Sequence, residues 1–373
     1  MKMNRIVRIK ALMIKEIHAI WRDPKSRIVL IAPLTIQLFI FSFAATLEVK
    51  NVALGIYNLD GGKHGYELVQ RFAGSKTFSR MIFLNSPEEA VKAADEQKVL
   101  AVVSIPQDFS RRIEAGEQGK IQVLLDGRKS NASQIVMGYI NSVINQYSDE
   151  LREKAGAAPL PAVVSGRSFY NENLIYMWFI VPSLMGILTM VGTLVLTSLS
   201  VAREREQGTF DQLLVSPLMP WEILIGKTVP PMAVGMTQGS FILLFSYFIF
   251  GIPFRGSVLM LYAALFVFAL SVTGIGLFIS SLAKTQQQAI LGAFVFMVPA
   301  IALSGFASPF ENMPPWLQTL MQVNPLKHFL IVLKGIYLKD MSAANVLANT
   351  LPVAAIAAAC LAFAGALFRR RLE

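Results

Sequence analysis

Six long apolar stretches constrain the fold of this chain more than any other feature of its sequence. None of them contains Asp, Glu, Lys, Arg or His, and each reaches the length of about 20 residues that a transmembrane helix needs. They cover residues 28–47, 174–202, 228–254, 257–283, 286–307 and 343–368. A soluble helical protein does not carry six stretches of this kind. We therefore predict an α-helical integral membrane protein with six transmembrane helices.

The apolar stretches also restrict how such a protein obtains energy. Ionisable residues inside a membrane usually mark proton relays, ion sites or voltage sensors, and these stretches contain none. The sequence therefore disfavours an ion-coupled secondary transporter and predicts that another chain drives any transport. The composition, 54% hydrophobic and 16% charged, is too apolar for a soluble protein. The formal net charge of +10 is better explained by topology and anionic lipid than by nucleic acid.

The distribution of basic residues predicts the orientation of the chain. With six spans, both termini lie on the same side, and the short segments on that side carry 15 basic residues against 4 on the other. Basic residues accumulate on the cytoplasmic side of a membrane protein. We therefore predict cytoplasmic termini and place the long segment between the first two spans outside. The first stretch, 28–47, is interpreted as a retained transmembrane helix rather than a cleaved signal peptide.

The segment 48–173 is predicted to be a separate extracytoplasmic α/β domain. Short apolar runs that are typical of strands alternate in it with helical patterns. The predicted strands are 52–58, 80–84, 99–105 and 121–126, and the predicted helices are 90–98, 108–115 and 130–154. This alternation favours a mainly parallel or mixed sheet with helices packed on it.

Two further segments read as helices that lie along the membrane surface. Residues 1–27 form a predicted cytoplasmic, amphipathic N-terminal element. Within it, residues 1–22 show helical spacing of large apolar residues, and Arg5, Arg8, Lys15 and Arg22 lie among the remaining positions. Its cationic side chains are expected to face lipid phosphates; a basic tail without fixed structure is the alternative. In segment 308–340, two short helical patterns are separated by Asn324-Pro325. Neither is long enough to span a bilayer, so we expect an interfacial or reentrant segment on the outer side.

The most specific motif lies between the second and third spans, in segment 203–217. The second span is expected to continue as helix through alternating charges, to end at Gly208 and to restart as a short helix capped by Thr209. Such a short charged helix suits the docking of a soluble partner, although spacing alone is equally compatible with an ordinary polar loop. The candidate docking residues are Glu204, Arg205, Glu206, Gly208, Thr209, Asp211, Ser216 and Pro217.

This segment resembles the cytoplasmic loop of ABC transporter type-2 permeases, which often reads E-R-E-x-G-T-x-E-x-L-x-x-S-P. The chain matches it at every candidate position except Asp211, where glutamate is usual, and also at Leu213. The run from Ser304 through Pro309 and Asn312-Met313-Pro314 to Asn324-Pro325-Leu326 is similar to the reentrant region of that family. The large outer domain after the first span is also similar in placement.

The resemblance implies a permease subunit of an ATP-driven exporter in a bacterial inner membrane, with a hydrophobic or amphipathic substrate that is drug-like or lipid-like. The partners it implies are a separate ATP-binding subunit, which carries ATP and Mg²⁺, and a second permease copy or paralogue. A periplasmic membrane-fusion adaptor is a further expected partner. The alternative from another functional class is a non-transporting receptor or phage-adsorption protein that binds ligand through its outer domain.

No ATPase motif is expected on this chain itself. Gly226-Lys227-Thr228 imitates the end of a phosphate-binding loop, but Trp221 stands where the first glycine is required. Lys227 is instead interpreted as an anchor that extends to the membrane surface at the start of the third span. No catalytic residue, cofactor or metal site is predicted here.

Overall fold

The computed structural model describes residues 5–24, 27–28, 33–44, 52–75, 77–156, 170–171, 175–210 and 218–370. The chain divides into two compact units. One unit, Thr46–Gly166, is called the α/β unit below. The other, called the helical unit, combines Met1–Ala45 with Arg167–Glu373.

The helical unit begins with an 18-residue helix, α1 (Arg5–Arg22). The predicted first span, 28–47, is described only in part, as a π-helical turn over Pro33–Gln37 and helix α2 (Leu38–Ala44). Leu38 is buried in the core of the helical unit. The N-terminal apolar run is thus helical wherever the structure describes more than two consecutive residues of it.

The α/β unit alternates strands and helices along the chain. Its elements are β1 (Ala53–Asn58), α3 (Lys63–Gly74), β2 (Arg80–Phe83), α4 (Pro87–Asp95), β3 (Ala101–Ile105), α5 (Phe109–Glu114), β4 (Gln122–Leu125) and α6 (Ser130–Lys154). The four strands have the order β2-β1-β3-β4. β1 pairs in parallel with β2 and β3, and β4 is antiparallel to β3. The prediction of a mixed sheet with helices on it is therefore confirmed.

Alternating side chains of β3 divide the core of the α/β unit into two layers. Val103 and Ile105 belong to a cluster with Phe72 of α3 and Ile140 of α6, whereas Val102 packs with Ala90 of α4 on the other face. This period-2 burial is the reason that the strands could be read from sequence. Helix α4 begins three residues before its predicted start at residue 90, because the Ser86 hydroxyl caps it by accepting a hydrogen bond from the Glu89 amide.

An ion pair joins α3 to α6 within the α/β unit. The Arg71 guanidinium donates two hydrogen bonds to the Glu150 carboxylate, at 2.8 and 2.6 Å. This bond lowers the pKa of Glu150 below its ordinary value. A carboxylate with a depressed folded-state pKa contributes stability that is present above its unfolded pKa of about 4.3 and is lost as the pH falls through the folded value.

We therefore expect Glu150→Gln to lower the thermal midpoint of the α/β unit at pH 7, and we expect this difference to shrink as the pH falls below about 4.3 and through the depressed pKa of Glu150 in the folded state. Thermal unfolding followed between pH 7 and pH 3 in both proteins measures this convergence. Parallel curves for the variant and the wild type would show that the pair contributes nothing that depends on the ionisation of Glu150.

The rest of the helical unit contains four helices that are long and apolar enough to cross a membrane, within the part of the chain that the structure describes. These are α7 (Met177–Glu206), α8 (Pro220–Phe248), α9 (Val258–Leu282) and α13 (Ala343–Arg370, apolar over Ala343–Leu367). The shorter apolar helix α10 (Gln286–Ala302) follows α9. The chain is thus a helical membrane protein with four long apolar helices and an α/β unit between its N-terminal helices and α7.

Segment 308–340 forms short helices between α10 and α13. α11 (Pro315–Leu320) continues as a 3-10 turn over Met321–Val323. Asn324 then caps α12 (Pro325–Lys339), because its side chain accepts a hydrogen bond from the Leu326 amide. The predicted break at Asn324-Pro325 is therefore present. α12 lies among α7, α9 and α13, where Leu326, Phe329 and Leu333 join the main apolar core.

Candidate functional site

The described part of the motif segment lies where α1 meets the C-terminal end of α7 and the first turns of α8. Leu12, Glu16 and Ile20 are the buried side chains of α1, and their spacing of four residues forms one stripe along a helix. Apolar side chains of α1 outside this stripe, such as Ile6 and Trp21, are exposed. The face of α1 that packs on the protein is therefore partly charged, and its exposed face is largely apolar.

A buried lysine forms the centre of this junction. Lys227 of α8 is 0% exposed. Its ammonium lies 2.7 Å from the Glu16 carboxylate of α1 and 2.8 Å from the Glu204 carboxylate of α7. It also donates a hydrogen bond to the Ser200 hydroxyl at 3.2 Å, and that hydroxyl in turn donates to Glu16. Lys15 completes the cluster with a 2.6 Å ion pair to Glu204.

Further ion pairs hold α1 on either side of this cluster. Arg8 pairs with Glu222, which is 0% exposed, at 3.1 Å. Beyond the other end of α1, Asp23 pairs with Arg203 at 2.8 Å. Buried charges are costly unless they are paired, so these contacts fix the register of α1 against α7 and α8.

The last residues of α7 connect to the turn between α9 and α10. Arg205 donates a hydrogen bond to the carbonyl of Ala283 at 2.8 Å. The Glu206 carboxylate accepts one from the backbone amide of Gln286, the first residue of α10, at 2.8 Å. A carboxylate at a helix N-terminus is favourable because the free amides and the helix dipole are positive there. One helical turn of charges thus contacts α1 and α8 on one side and the α9–α10 turn on the other.

The predicted helix break at Gly208 is present, with a positive φ of 68°. This conformation is typical of a glycine that ends a helix. The next residues fold back onto α7, where the Thr209 amide donates to the Glu204 carbonyl at 2.9 Å. Phe210 is buried against Val201 and Leu277. The predicted helix restart, with Asp211, Ser216 and Pro217, lies outside the described residues.

Comparison with known proteins identifies the chain. The family model described as ABC-2 family transporter protein matches residues 25–366. The chain belongs to the ABC-2 transporter family. It is 46% identical over 365 residues to the probable multidrug ABC transporter permease YbhR of Escherichia coli (strain K12), covering 98% of this chain and 99% of that protein. It is 30% identical over 372 residues to YbhS of the same strain, which has the same description, with 98% of each chain covered.

A third relative has a different description. The chain is 28% identical over 382 residues to the inner membrane transport permease YhhJ of Escherichia coli (strain K12), with 99% of each chain covered. The resemblance predicted from the 203–217 motif is therefore confirmed. This ABC-2 protein is a multi-pass permease of the inner membrane and is not itself the ATPase.

Two interpretations of charged residues in this ABC-2 permease were wrong. Lys227 does not extend to the membrane surface, because its ammonium is enclosed between Glu16 and Glu204. Arg8 does not face lipid phosphates, because its largely buried guanidinium pairs with the buried carboxylate of Glu222. In both cases the sequence pattern shows a basic residue next to an apolar run but not the acidic residue that the fold brings to it.

Glu16, Ser200 and Glu222 were missed as members of the site. A signal existed for one of them, since Glu16 is the sole acidic residue within α1. An acid on an apolar helix that also carries several bases indicates a specific partner, and Lys227 stands equally alone as a base within α8. Glu16 and Lys227 are 211 residues apart in the sequence, so local spacing could not predict that they pair.

Proposed function

We propose that this permease is the transmembrane subunit of an ATP-driven exporter and that segment 203–217 receives the movement of a separate ATP-binding subunit. The single observation that carries the proposal is the structural continuity of this segment with the helical unit. Its first eight residues contact α1, α8, α9 and the α9–α10 turn through ion pairs, hydrogen bonds and the Phe210 side chain. A push on the segment would therefore reach several helices together.

The candidate coupling residues divide into two roles in this proposal. Glu204 and Arg205 are turned into the protein, where they position the segment. Glu206 is exposed and follows them at the end of α7. Glu206 and the residues beyond Gly208, among them Thr209, Asp211, Ser216 and Pro217, form the surface that contacts the ATP-binding subunit.

The proposed topology has six transmembrane helices and both termini in the cytoplasm. The four long helices supply four spans. The segment 28–47 and α10 supply the other two. α10 has 17 residues, which corresponds to about 26 Å at 1.5 Å per residue, close to the bilayer core thickness of about 30 Å. In this arrangement the α/β unit, within segment 48–173, lies in the periplasm and α1 lies along the inner surface of the membrane.

The proposed assembly pairs this chain with a second permease. The second copy is identical or is a paralogue, and the similarity to both YbhR and YbhS of one strain supports the latter. The proposed substrate is a hydrophobic or amphipathic drug-like or lipid-like molecule, in line with the description of these relatives as probable multidrug transporters. ATP and Mg²⁺ bind to the partner subunit, and the α/β unit is the proposed contact for a periplasmic adaptor.

Charge reversal at Glu206 tests the coupling role. Glu206→Lys is expected to leave membrane insertion intact and to cost no more than about 1–2 kcal/mol of stability, since Glu206 is exposed and its described contact is a single hydrogen bond to the amide at the start of α10. Transport-stimulated ATP turnover by the reconstituted complex is expected to fall at least about tenfold, within the usual range of coupling energies.

Gln207→Lys is the matched control for this substitution. Gln207 is the neighbouring exposed residue, so that variant adds positive charge at nearly the same place without removing the carboxylate. We expect it to retain coupled turnover. If Glu206→Lys also retains stimulated turnover, Glu206 has no part in coupling. Failure of an ATP-binding subunit to co-purify with the wild type in mild detergent would contradict the proposal as a whole.

A further inference from the structure

Two lysines of α12 have no counter-ion among the residues that the structure describes. Lys327 and Lys334 are seven residues apart, so they lie on the same face of the helix, about 10.5 Å apart along its axis. Lys327 is 6% exposed and Lys334 is partly buried. Among the residues that the structure describes, neither ammonium makes an ion pair or a hydrogen bond. Glu311 acts on Lys327 only from beyond ion-pair distance.

Each of the two ammonium groups lies over an aromatic ring instead. The Lys327 Nζ atom is 3.8 Å from the ring centre of Phe310, and the Lys334 Nζ atom is 3.9 Å from that of Phe179. The Phe179 ring stacks on Phe306 with an interplanar angle of 6°. The loop from Phe306 to Phe310 therefore joins the two cation–π pairs into one surface, which is called the lysine–aromatic surface below.

The position of Lys327 makes its charge unfavourable in the free protein. Lys327 lies in the first turn of α12, which begins at Pro325 after the Asn324 cap. The amino end of a helix is positive, so it disfavours a cation and favours an anion. A cation–π contact compensates only in part for a buried charge that lacks an ion partner. An anion bound here would interact favourably with both ammonium groups and with the helix end.

Apolar side chains next to this surface indicate that such an anion carries an apolar part. Tyr176 also stacks on Phe179, with the two ring centres 5.9 Å apart. In the segment that leads to α12, Trp316, Leu320 and Val323 are all more than half exposed. A small inorganic anion would leave these side chains uncovered, whereas an amphiphile would cover them.

We propose that the lysine–aromatic surface binds the anionic headgroup of an amphiphile, with a phosphate or carboxylate against Lys327 and Lys334. The apolar part of that molecule lies against Tyr176, Phe179 and Phe306. The same chemistry is offered by an anionic membrane lipid and by an anionic amphiphilic substrate. The binding of an anionic membrane lipid does not depend on the proposed export function. The binding of an anionic amphiphilic substrate rests on that function.

The test uses the full chain, purified in neutral detergent and delipidated, with mass spectrometry of the intact protein under non-denaturing conditions. The probes are dioleoylphosphatidylglycerol, uncharged dioleoylglycerol and dodecyl phosphate. We expect phosphatidylglycerol to be retained at least tenfold more than dioleoylglycerol. Displacement of the bound phosphatidylglycerol by an equal concentration of dodecyl phosphate indicates a site for free amphiphiles. Resistance to that displacement indicates a lipid site.

The double substitution Lys327→Gln and Lys334→Gln is expected to lower phosphatidylglycerol retention at least tenfold and to leave dioleoylglycerol retention unchanged. Lys339→Gln is the matched control, because Lys339 is an exposed lysine at the end of the same helix. Equal retention by the double variant and the control would overturn the proposal. The wild-type protein also tests the proposal without any variant. Equal retention of phosphatidylglycerol and dioleoylglycerol by the wild type would overturn the proposal as well.

Discussion

Lys227→Met is expected to destabilise the helical unit by about 3–5 kcal/mol, the usual cost of removing one partner from a buried ion pair. The methionine side chain has nearly the volume of lysine, so the effect comes from charge rather than from a cavity. Without the ammonium, the buried carboxylate of Glu16 has no cation partner among the described residues, and that of Glu204 keeps Lys15 as its one described cation partner. Thermal denaturation of the purified protein in detergent, followed by size-exclusion recovery, measures the loss.

Two further variants separate charge from packing at this position. Lys15→Met is the milder control, because the Lys15 side chain is 51% exposed and exposed ion pairs contribute at most about 1 kcal/mol. The triple substitution Glu16→Gln, Glu204→Gln and Lys227→Met removes all three buried charges, and we expect it to recover part of the lost stability. Replacing a whole buried ionic cluster is often tolerated, whereas breaking one is not. An unchanged midpoint for Lys227→Met would show that the cluster does not hold α1.

Gly276→Leu is expected to separate α7 from α9 and to destabilise the helical unit by about 1–3 kcal/mol, as overpacking of a filled core does. A Cβ atom at Gly276 would lie 2.7 Å from the Cβ of Thr197 and 3.1 Å from the carbonyl oxygen of Leu194. Both belong to the rigid part of α7, so a larger side chain has no flexible neighbour to displace. Small residues at such crossings are what allow membrane helices to approach closely.

The matched control for this substitution is Ala263→Leu. Ala263 lies on α9 and is exposed, so its added methyl groups meet no packed neighbour. Detergent-resistant thermal midpoints of the two variants and the wild type compare them directly. If Gly276→Leu and Ala263→Leu have the same midpoint, the close approach of α7 and α9 is not what stabilises this part of the bundle.

The α/β unit shows how much local pattern can determine. All four of its strands were predicted within two residues of their observed ends, because each alternates between two buried faces or is bounded by turn residues. Helix α6 was predicted with its observed bounds. Helix α3 was not delimited, since Gly62 precedes it without a capping side chain and so provides no start signal.

For the membrane helices the sequence likewise predicted the apolar runs, but it did not predict the ion pairs of the candidate site. The bounds of α9 and α13 follow the apolar runs that predicted them, because lipid and packed helices both exclude charge from a span. α7 and α8 extend past their apolar runs into charged residues, and this is where the site lies. The motif gave the family and the break at Gly208. It did not give the partners of Glu204, which come from α1 and α8.

The sequence by itself determined the four long apolar helices, the α/β unit and the family, because each of these depends on local periodicity or on a contiguous motif. Only the tertiary structure decided which charges are buried and which have no counter-ion in the part of the chain that the structure describes. Lys227 is enclosed by acids from two other helices, whereas Lys327 and Lys334 have aromatic rings as neighbours. The physical reason is that the free energy of a charge depends on the groups within a few ångströms of it, and in this fold those groups come from distant parts of the chain.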